Sequence, residues 1–253
     1  MEHSPIIELV NIHKSFNTQK VLDGLSLRIE AGQITVIIGQ SGGGKSVLLK
    51  HMIGLIKPDQ GETLVEGVDI SRLNDRQLND VRKNFGMLFQ AAALFDSMTV
   101  GENVAFPLRE HTRLKPKEIE EIVEHKLQQV GLQGASHKMP SELSGGMQKR
   151  VGLARALALD PKIILFDEPT TGLDPVTADA IDRLIVDTQE HTNATCVVIS
   201  HDIESTFKIA DTVAMLYRGK IVEIGKPDTI KSSTNVVLQQ FIQGKAEGPI
   251  QVA

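Results

Sequence analysis

Residues 39–46 read Gly-Gln-Ser-Gly-Gly-Gly-Lys-Ser, the pattern G-x-x-x-x-G-K-[ST] without a gap. Ahead of it lies Gln33–Ile38 (QITVII), a β-branched run of strand length. Behind it, Leu48, Leu49, Met52 and Ile53 recur at helical spacing up to Gly54, with Pro58 beyond. Strand, glycine-rich turn and helix in that order make a cradle for phosphate. Backbone N–H groups must converge on the anion, and glycine lets the loop take the necessary φ angles and lie close to its ligand. The helix start adds partial positive charge. Lys45 adds a compact ammonium, and Ser46 a hydroxyl for Mg²⁺. The expected contact set is Gly39, Gln40, Ser41, Gly42, Gly43, Gly44, Lys45, Ser46 and Val47.

A phosphate cradle alone hydrolyses nothing; a carboxylate-bearing strand is also needed. Ile163-Ile-Leu-Phe-Asp167-Glu168 supplies one. Asp167 ends the strand where it can hold Mg²⁺, and Glu168 follows where it can polarise an attacking water. Two adjacent acids at a buried strand end repel unless a cation lies between them and the phosphates.

The remaining pattern is α/β. Thr195–Ile199 is a third buried strand, and Glu8–Ile12 and Leu25–Ile29 alternate with period two as an antiparallel start. Val213–Tyr217 and Ile221–Ile224 flank Arg218-Gly219 as a late hairpin. Lys117–Val130 places Ile119, Ile122, Val123, Leu127 and Val130 on one helical face, and the charged run Lys115–Lys126 reads as solvated. Val176–Thr188 is a helix with Asp174 as N-cap and Pro175 first. The 41% hydrophobic share suits a packed core, and a net charge of −5 argues against nucleic acid as a partner. No apolar run approaches the span of a membrane helix. Met1-Glu2-His3-Ser4-Pro5 lacks a signal-peptide pattern, and the single cysteine, Cys196, reads as a buried inert thiol. These features fit the cytosol.

Leu143-Ser144-Gly145-Gly146-Met147 opens another helix, expected to run through Leu159. That is a second anion-binding start, and one nucleotide needs only one such cradle, so the second is expected to serve another copy of the chain. Here the sequence resembles the ABC-type ATPases. Leu143–Met147 is similar to their signature motif, Gly172-Leu173-Asp174-Pro175 to their D-loop, Gln90 to their Q-loop glutamine and His201 to their switch histidine. Phe16 stands where they stack adenine, more often on tyrosine, and Met147 where they commonly have glutamine. The resemblance runs from about residue 6 to residue 228. It implies a P-loop NTPase (RecA-like) core with an N-terminal antiparallel β subdomain and an inserted α-helical signature subdomain. All of this lies in one domain over 1–253, with the helical part at about 91–160 and an extended tail at about 244–253. It implies ATP and Mg²⁺ as ligands, with Ser46, Gln90 and Asp167 on the metal. Glu168, Gln90 and His201 are the catalytic set. Phe16, Ser144, Gly145, Gly146 and Asp174 are further nucleotide contacts. Two copies would then sandwich two ATP molecules head to tail.

Three stretches narrow the resemblance: Met87–Met98, Asn103–Thr112 and Met139–Met147 are similar to ATPases of MCE-type lipid transporters, such as the Mla phospholipid system of Gram-negative envelopes. That implies a peripheral place on the cytoplasmic face of the inner membrane and a permease dimer as partner. It also implies a periplasmic MCE lipid-binding protein and a STAS-domain subunit at the helical region. Ala91-Ala-Ala-Leu-Phe95 would receive the permease's coupling helix, and the tail around Gly248-Pro249-Ile250 would reach a neighbouring protomer or fray. The alternatives are import of amino acids or other small molecules and a non-transport ABC ATPase. A chromosome-type ATPase would need a coiled-coil insertion, a translation factor two linked cassettes, and neither is present.

Overall fold

A computed structural model describes residues 5–251; Met1–Ser4, read above for a leader pattern, and the last two residues of the tail lie outside them. In chain order β1 (Pro5–Phe16), β2 (Gln19–Glu30) and β3 (Ile34–Ile38) lead into α1 (Lys45–Met52). Then come β4 (Gln60–Val65), β5 (Val68–Asp69), α2 (Asp75–Arg82), β6 (Phe85–Leu88), α3 (Val100–His111), α4 (Pro116–Gln129) and α5 (Gly145–Ala156). The rest is β7 (Ile163–Asp167), α6 (Pro175–Thr192), β8 (Thr195–Ile199), α7 (Ile203–Ile209), β9 (Thr212–Tyr217), β10 (Lys220–Gly225), α8 (Pro227–Lys231) and α9 (Val236–Gln243). The chain forms two compact units: residues up to Leu78 with those from Val197 on, and Asn79–Cys196.

In the first unit, β2-β1-β4-β5 make an antiparallel sheet, and β10-β9-β3-β8 lie side by side. Ile7, Leu9 and Ile12 of β1 and Leu25, Leu27 and Ile29 of β2 are buried, as the period-two reading expects. Both strands reach further than that reading, because polar ends pair as well as apolar ones. All five residues of β3 are buried, and β3 runs parallel to β9 with Ile38 opposite Met215. The β9–β10 hairpin turns at Arg218 and Gly219, both left-handed at φ 47° and 74°, the turn that suits strand twist.

The expected extended or frayed tail is instead folded against its own unit. Gln240, nearly buried in α9, donates to Lys245 O at 3.1 Å and Ile250 O at 3.0 Å and accepts from Ile250 N at 2.7 Å. Tyr217 OH donates to Pro249 O at 2.9 Å, and Ile250 is 6% exposed. One glutamine satisfies the backbone here, so the tail needs no periodicity to be ordered.

In the second unit, β6 and β7 run parallel, and the division between units falls within β8. Thr99 and Glu102 form a capping box at the start of α3. Asn103, fully buried, accepts from Phe95 N at 2.8 Å and donates to Phe95 O and Met98 O, folding the preceding loop onto that helix. Ile119, Val123 and Leu127 form the buried stripe of α4, but two expectations fail nearby. Lys126 is not solvated: it is buried and donates to the exposed Asp160 at 2.6 Å. The helix from Ser144 stops at Ala156, short of Leu159, with Leu157 as its C-cap; Asp160 beyond it is left-handed at φ 49°. Asp174 caps α6 as expected, accepting from Val176 N and Thr177 N at 3.0 Å, and Cys196 is fully buried. Among the described residues no helix is long and apolar enough to cross a membrane.

Ile250→Asp should release the tail. Losing that burial, about 2 kcal/mol, should lower Tm by roughly 4–8 °C and open residues 245–249 to protease. An unchanged melting curve with no new cleavage would mean that the tail does not hold this position.

Candidate active site

The first unit carries the phosphate loop, Phe16 and His201. β3 feeds the loop, and the parallel neighbour β9 presses on its first residue: a Cβ on Gly39 (φ 151°) would stand 2.3 Å from Leu216 O, so only glycine fits. Gly43 N closes the turn onto Gln40 O at 3.0 Å. The residue before α1, Gly44, is left-handed and offers no side chain to cap the helix start. Lys45 is 5% exposed, and its ammonium donates to Gly39 O at 2.7 Å and Gln40 O at 2.9 Å. Buried cations need such partners; here the loop's own carbonyls hold the charge beside the cradle. Ser46 is exposed on the first turn of α1. His201 follows β8, where Ser200 N donates to Ile37 O at 3.2 Å, so it leaves from the strand beside β3. Phe16 ends β1 and is 45% exposed, fit for stacking.

The second unit carries Gln90, Asp167, Glu168, Ser144, Gly145, Gly146 and Asp174. Because β6 and β7 are parallel, their C-terminal ends lie together: Gln90, just past β6, donates Nε2 to Glu168 Oε2 at 3.4 Å. Thr171 Oγ1 donates to the same oxygen at 3.1 Å. Glu168 holds a left-handed φ of 49°, a conformation costing a non-glycine residue about 1 kcal/mol. Such strain persists where the surroundings fix a side chain's aim, and it falls here on the expected general base.

Ser144 caps α5, its Oγ accepting from Met147 N at 3.3 Å, and Ser144 and Gly145 face solvent. A Cβ on Gly146 would lie 2.5 Å from Thr177 Cγ2, so the signature turn sits tight against the start of α6. Asp174 gives its second carboxylate oxygen to Thr177 Oγ1 at 2.6 Å, and these hydrogen bonds hold its carboxyl below the ordinary aspartate range. Capping therefore accounts for its known bonds.

Three contributors escaped the sequence reading. Lys149, 5% exposed, hydrogen-bonds Gln90 O and so ties α5 to the Q-loop. Burial pushes its ammonium below the usual lysine range, and Asp167 and Glu168 pull it back up. A helical period from Gly146 through Leu153 puts it on the buried face, a signal masked by its place in the polar run Gln-Lys-Arg. Arg155 donates to Ala92 O and Ala93 O, both at 2.7 Å, holding two left-handed alanines just after Gln90. It also lines a groove of about 300 Å³ with Phe85, Phe89, Phe95 and Phe106. Thr171 is the third.

The family model for the ABC transporter matches residues 22–171. The intermembrane phospholipid transport system ATP-binding protein MlaF of Haemophilus influenzae is 45% identical over 246 residues, 97% of this chain and 93% of its own. Its namesake in Escherichia coli K12 is 42% identical over 245 residues, 97% of this chain and 91% of its own. The probable ribonucleotide transport ATP-binding protein mkl of Mycobacterium leprae is 45% identical over 244 residues, 96% of this chain and 70% of its own. Among solved structures, the dimeric, post-hydrolysis ATP-binding cassette MJ0796 bound to ADP and Pi superimposes with a TM-score of 0.81 at 32% identity, over 87% of this chain and 98% of that one. The cbiO1 protein of Clostridium perfringens gives a TM-score of 0.84 at 28% identity, over 93% and 94%. Matched by the family model over more than half its length, the chain belongs to the ABC transporter family, as one of its ATPases.

Proposed function

We propose that this ATPase powers a transporter moving phospholipids between inner and outer membranes. The observation that carries the reading is its end-to-end likeness to the two proteins named for intermembrane phospholipid transport. The relative named for ribonucleotide transport is as similar, but this chain spans only 70% of it. The chain then acts at the cytoplasmic face of the inner membrane, with a permease dimer, a periplasmic MCE lipid-binding protein and a STAS-domain subunit.

ATP lies with its phosphates on residues 39–47 and its base on Phe16. Ser46, Gln90 and Asp167 are oxygen donors, which suits Mg²⁺. No cluster of three His, Cys, Asp or Glu exists among the described residues, and an ion held by one carboxylate and the substrate's phosphates needs none. Bound there, Mg²⁺ would offset phosphate charge. Glu168 takes the proton of a water whose oxygen attacks the γ-phosphorus; the bond to the β–γ bridging oxygen breaks, and ADP and phosphate leave. Gln90 orients that water, and His201 senses the γ-phosphate. The exposed Ser144 and Gly145, with Gly146, close on the nucleotide of a second copy, and Asp174 shapes that junction. The dimeric state of the MJ0796 cassette supports this arrangement. Departure of the cleaved phosphate then removes the charge that bridges the two copies.

Glu168→Gln should keep ATP binding and cut turnover at least a hundredfold, about 3 kcal/mol on the scale of one lost transition-state contact, leaving an ATP-bound dimer. Full turnover in that variant contradicts the role of Glu168.

The aromatic groove beside Arg155, with Phe95 41% exposed, is the proposed seat of the permease's coupling helix. Phe95→Asp should abolish co-purification with the permease while free ATPase activity persists. Mass spectrometry of the native complex should find phospholipid with the partner subunits. A complex carrying amino acids or ribonucleotides, or no permease at all, would replace the lipid reading.

A further inference from the structure

Phe16 sits at the very end of β1, where a ring can receive a base only if the strand end is held still. The ladder reaches it, with Ser15 opposite Lys20 and Phe16 opposite Gln19, but holds it irregularly. Pairing of β1 with β2 shifts register between Ile12 and His13 and again between Lys14 and Ser15, and pairing with β4 shifts between Val10 and His13. These irregularities leave backbone groups to be satisfied elsewhere.

Asp59, on the loop before β4, takes them up. Its N–H donates to His13 O at 2.8 Å. Its Oδ1 accepts from Lys14 Nζ and its Oδ2 from Ser15 N, each at 2.7 Å. Three consecutive residues ahead of Phe16 are thus fastened to one aspartate. The Lys14 ammonium, so placed, lies over the Phe16 ring, 5.6 Å from its centre. The Lys14 side chain is 17% exposed and that of Asp59 45%, so the pair itself contributes little to stability. What it sets is position.

We propose that Asp59 is a positioning residue for the nucleotide base: it fixes the end of β1 so that Lys14 covers one face of the Phe16 ring and the other face is presented to a purine. The proposal deepens the reading of Phe16 as the base-stacking ring and rests on it. Stacking is tolerant of base identity, so the effect extends to ATP and GTP alike and spares a ligand that has no base.

The test uses the full chain with Phe16→Ala, Asp59→Ala and the double variant, titrated with Mg-ATP and, as a base-free probe, with inorganic tripolyphosphate. Phe16→Ala should weaken ATP at least tenfold and Asp59→Ala about fivefold, on the scale of one lost base–aromatic stack, with tripolyphosphate binding unchanged. The kcat of Asp59→Ala at saturating ATP should match that of the parent while KM rises. The double variant should be no weaker than Phe16→Ala alone, because the two act as a unit. The proposal is overturned if Asp59→Ala binds ATP like the parent, if it loses ATP and tripolyphosphate equally, or if its effect adds fully to that of Phe16→Ala. Should Phe16→Ala itself leave ATP affinity intact, the stacking role of Phe16 is what fails, and the role of Asp59 falls with it.

Discussion

A cation that is to meet a triphosphate must be held close to the loop that binds it, and the placement of Lys45 answers that constraint. Its ammonium is buried, and Gly39 O and Gln40 O accept from it, which offsets the loss of water. Those carbonyls belong to the loop proposed to bind the phosphates, so the cation is held beside it. The loop in turn depends on β3, buried throughout, and on β9, whose Leu216 O leaves no room for a side chain at residue 39. The Asp211 carboxylate anchors the far end of β3 by accepting from Ile34 N at 2.8 Å. Strand, loop and helix are thus aligned by packing and by the loop's own hydrogen bonds.

The second unit solves a different problem, that of aiming a carboxylate. Parallel pairing of β6 and β7 brings Gln90 to Glu168, while Thr171 holds the same oxygen. The left-handed backbone at Glu168 costs energy that the buried strand β7 can absorb. Lys149 links this corner to the helix that begins at Ser144, so the turn at Ser144, the segment at Gln90 and the Asp167–Glu168 pair belong to one packed assembly within that unit.

Much of this was legible because the responsible signals are local. The run from Gln33 to Ile38 and the apolar residues ahead of Asp167 gave β3 and β7, and Asp174-Pro175 gave the start of α6. What stayed hidden depends on partners far along the chain. Lys126 looks solvated until Asp160 is brought to it, thirty-four positions on. The tail has no period to read, and Gln240 orders it through side-chain bonds that composition does not announce. The grip of Asp59 on residues 13–15 arises from strand irregularities that a period-two reading passes over.

The central claim is that each reaction centre takes its phosphate loop from one copy and its signature turn from another. Mixing two disabled variants, Lys45→Ala and Ser144→Ala, tests it most directly by measuring ATP hydrolysis before and after they exchange partners. Each alone should be nearly inactive, while the mixed dimer keeps one centre with both parts intact and regains a substantial share of parental activity. A mixture as inactive as its components, or a Ser144→Ala variant that hydrolyses ATP at the parental rate, would contradict the account.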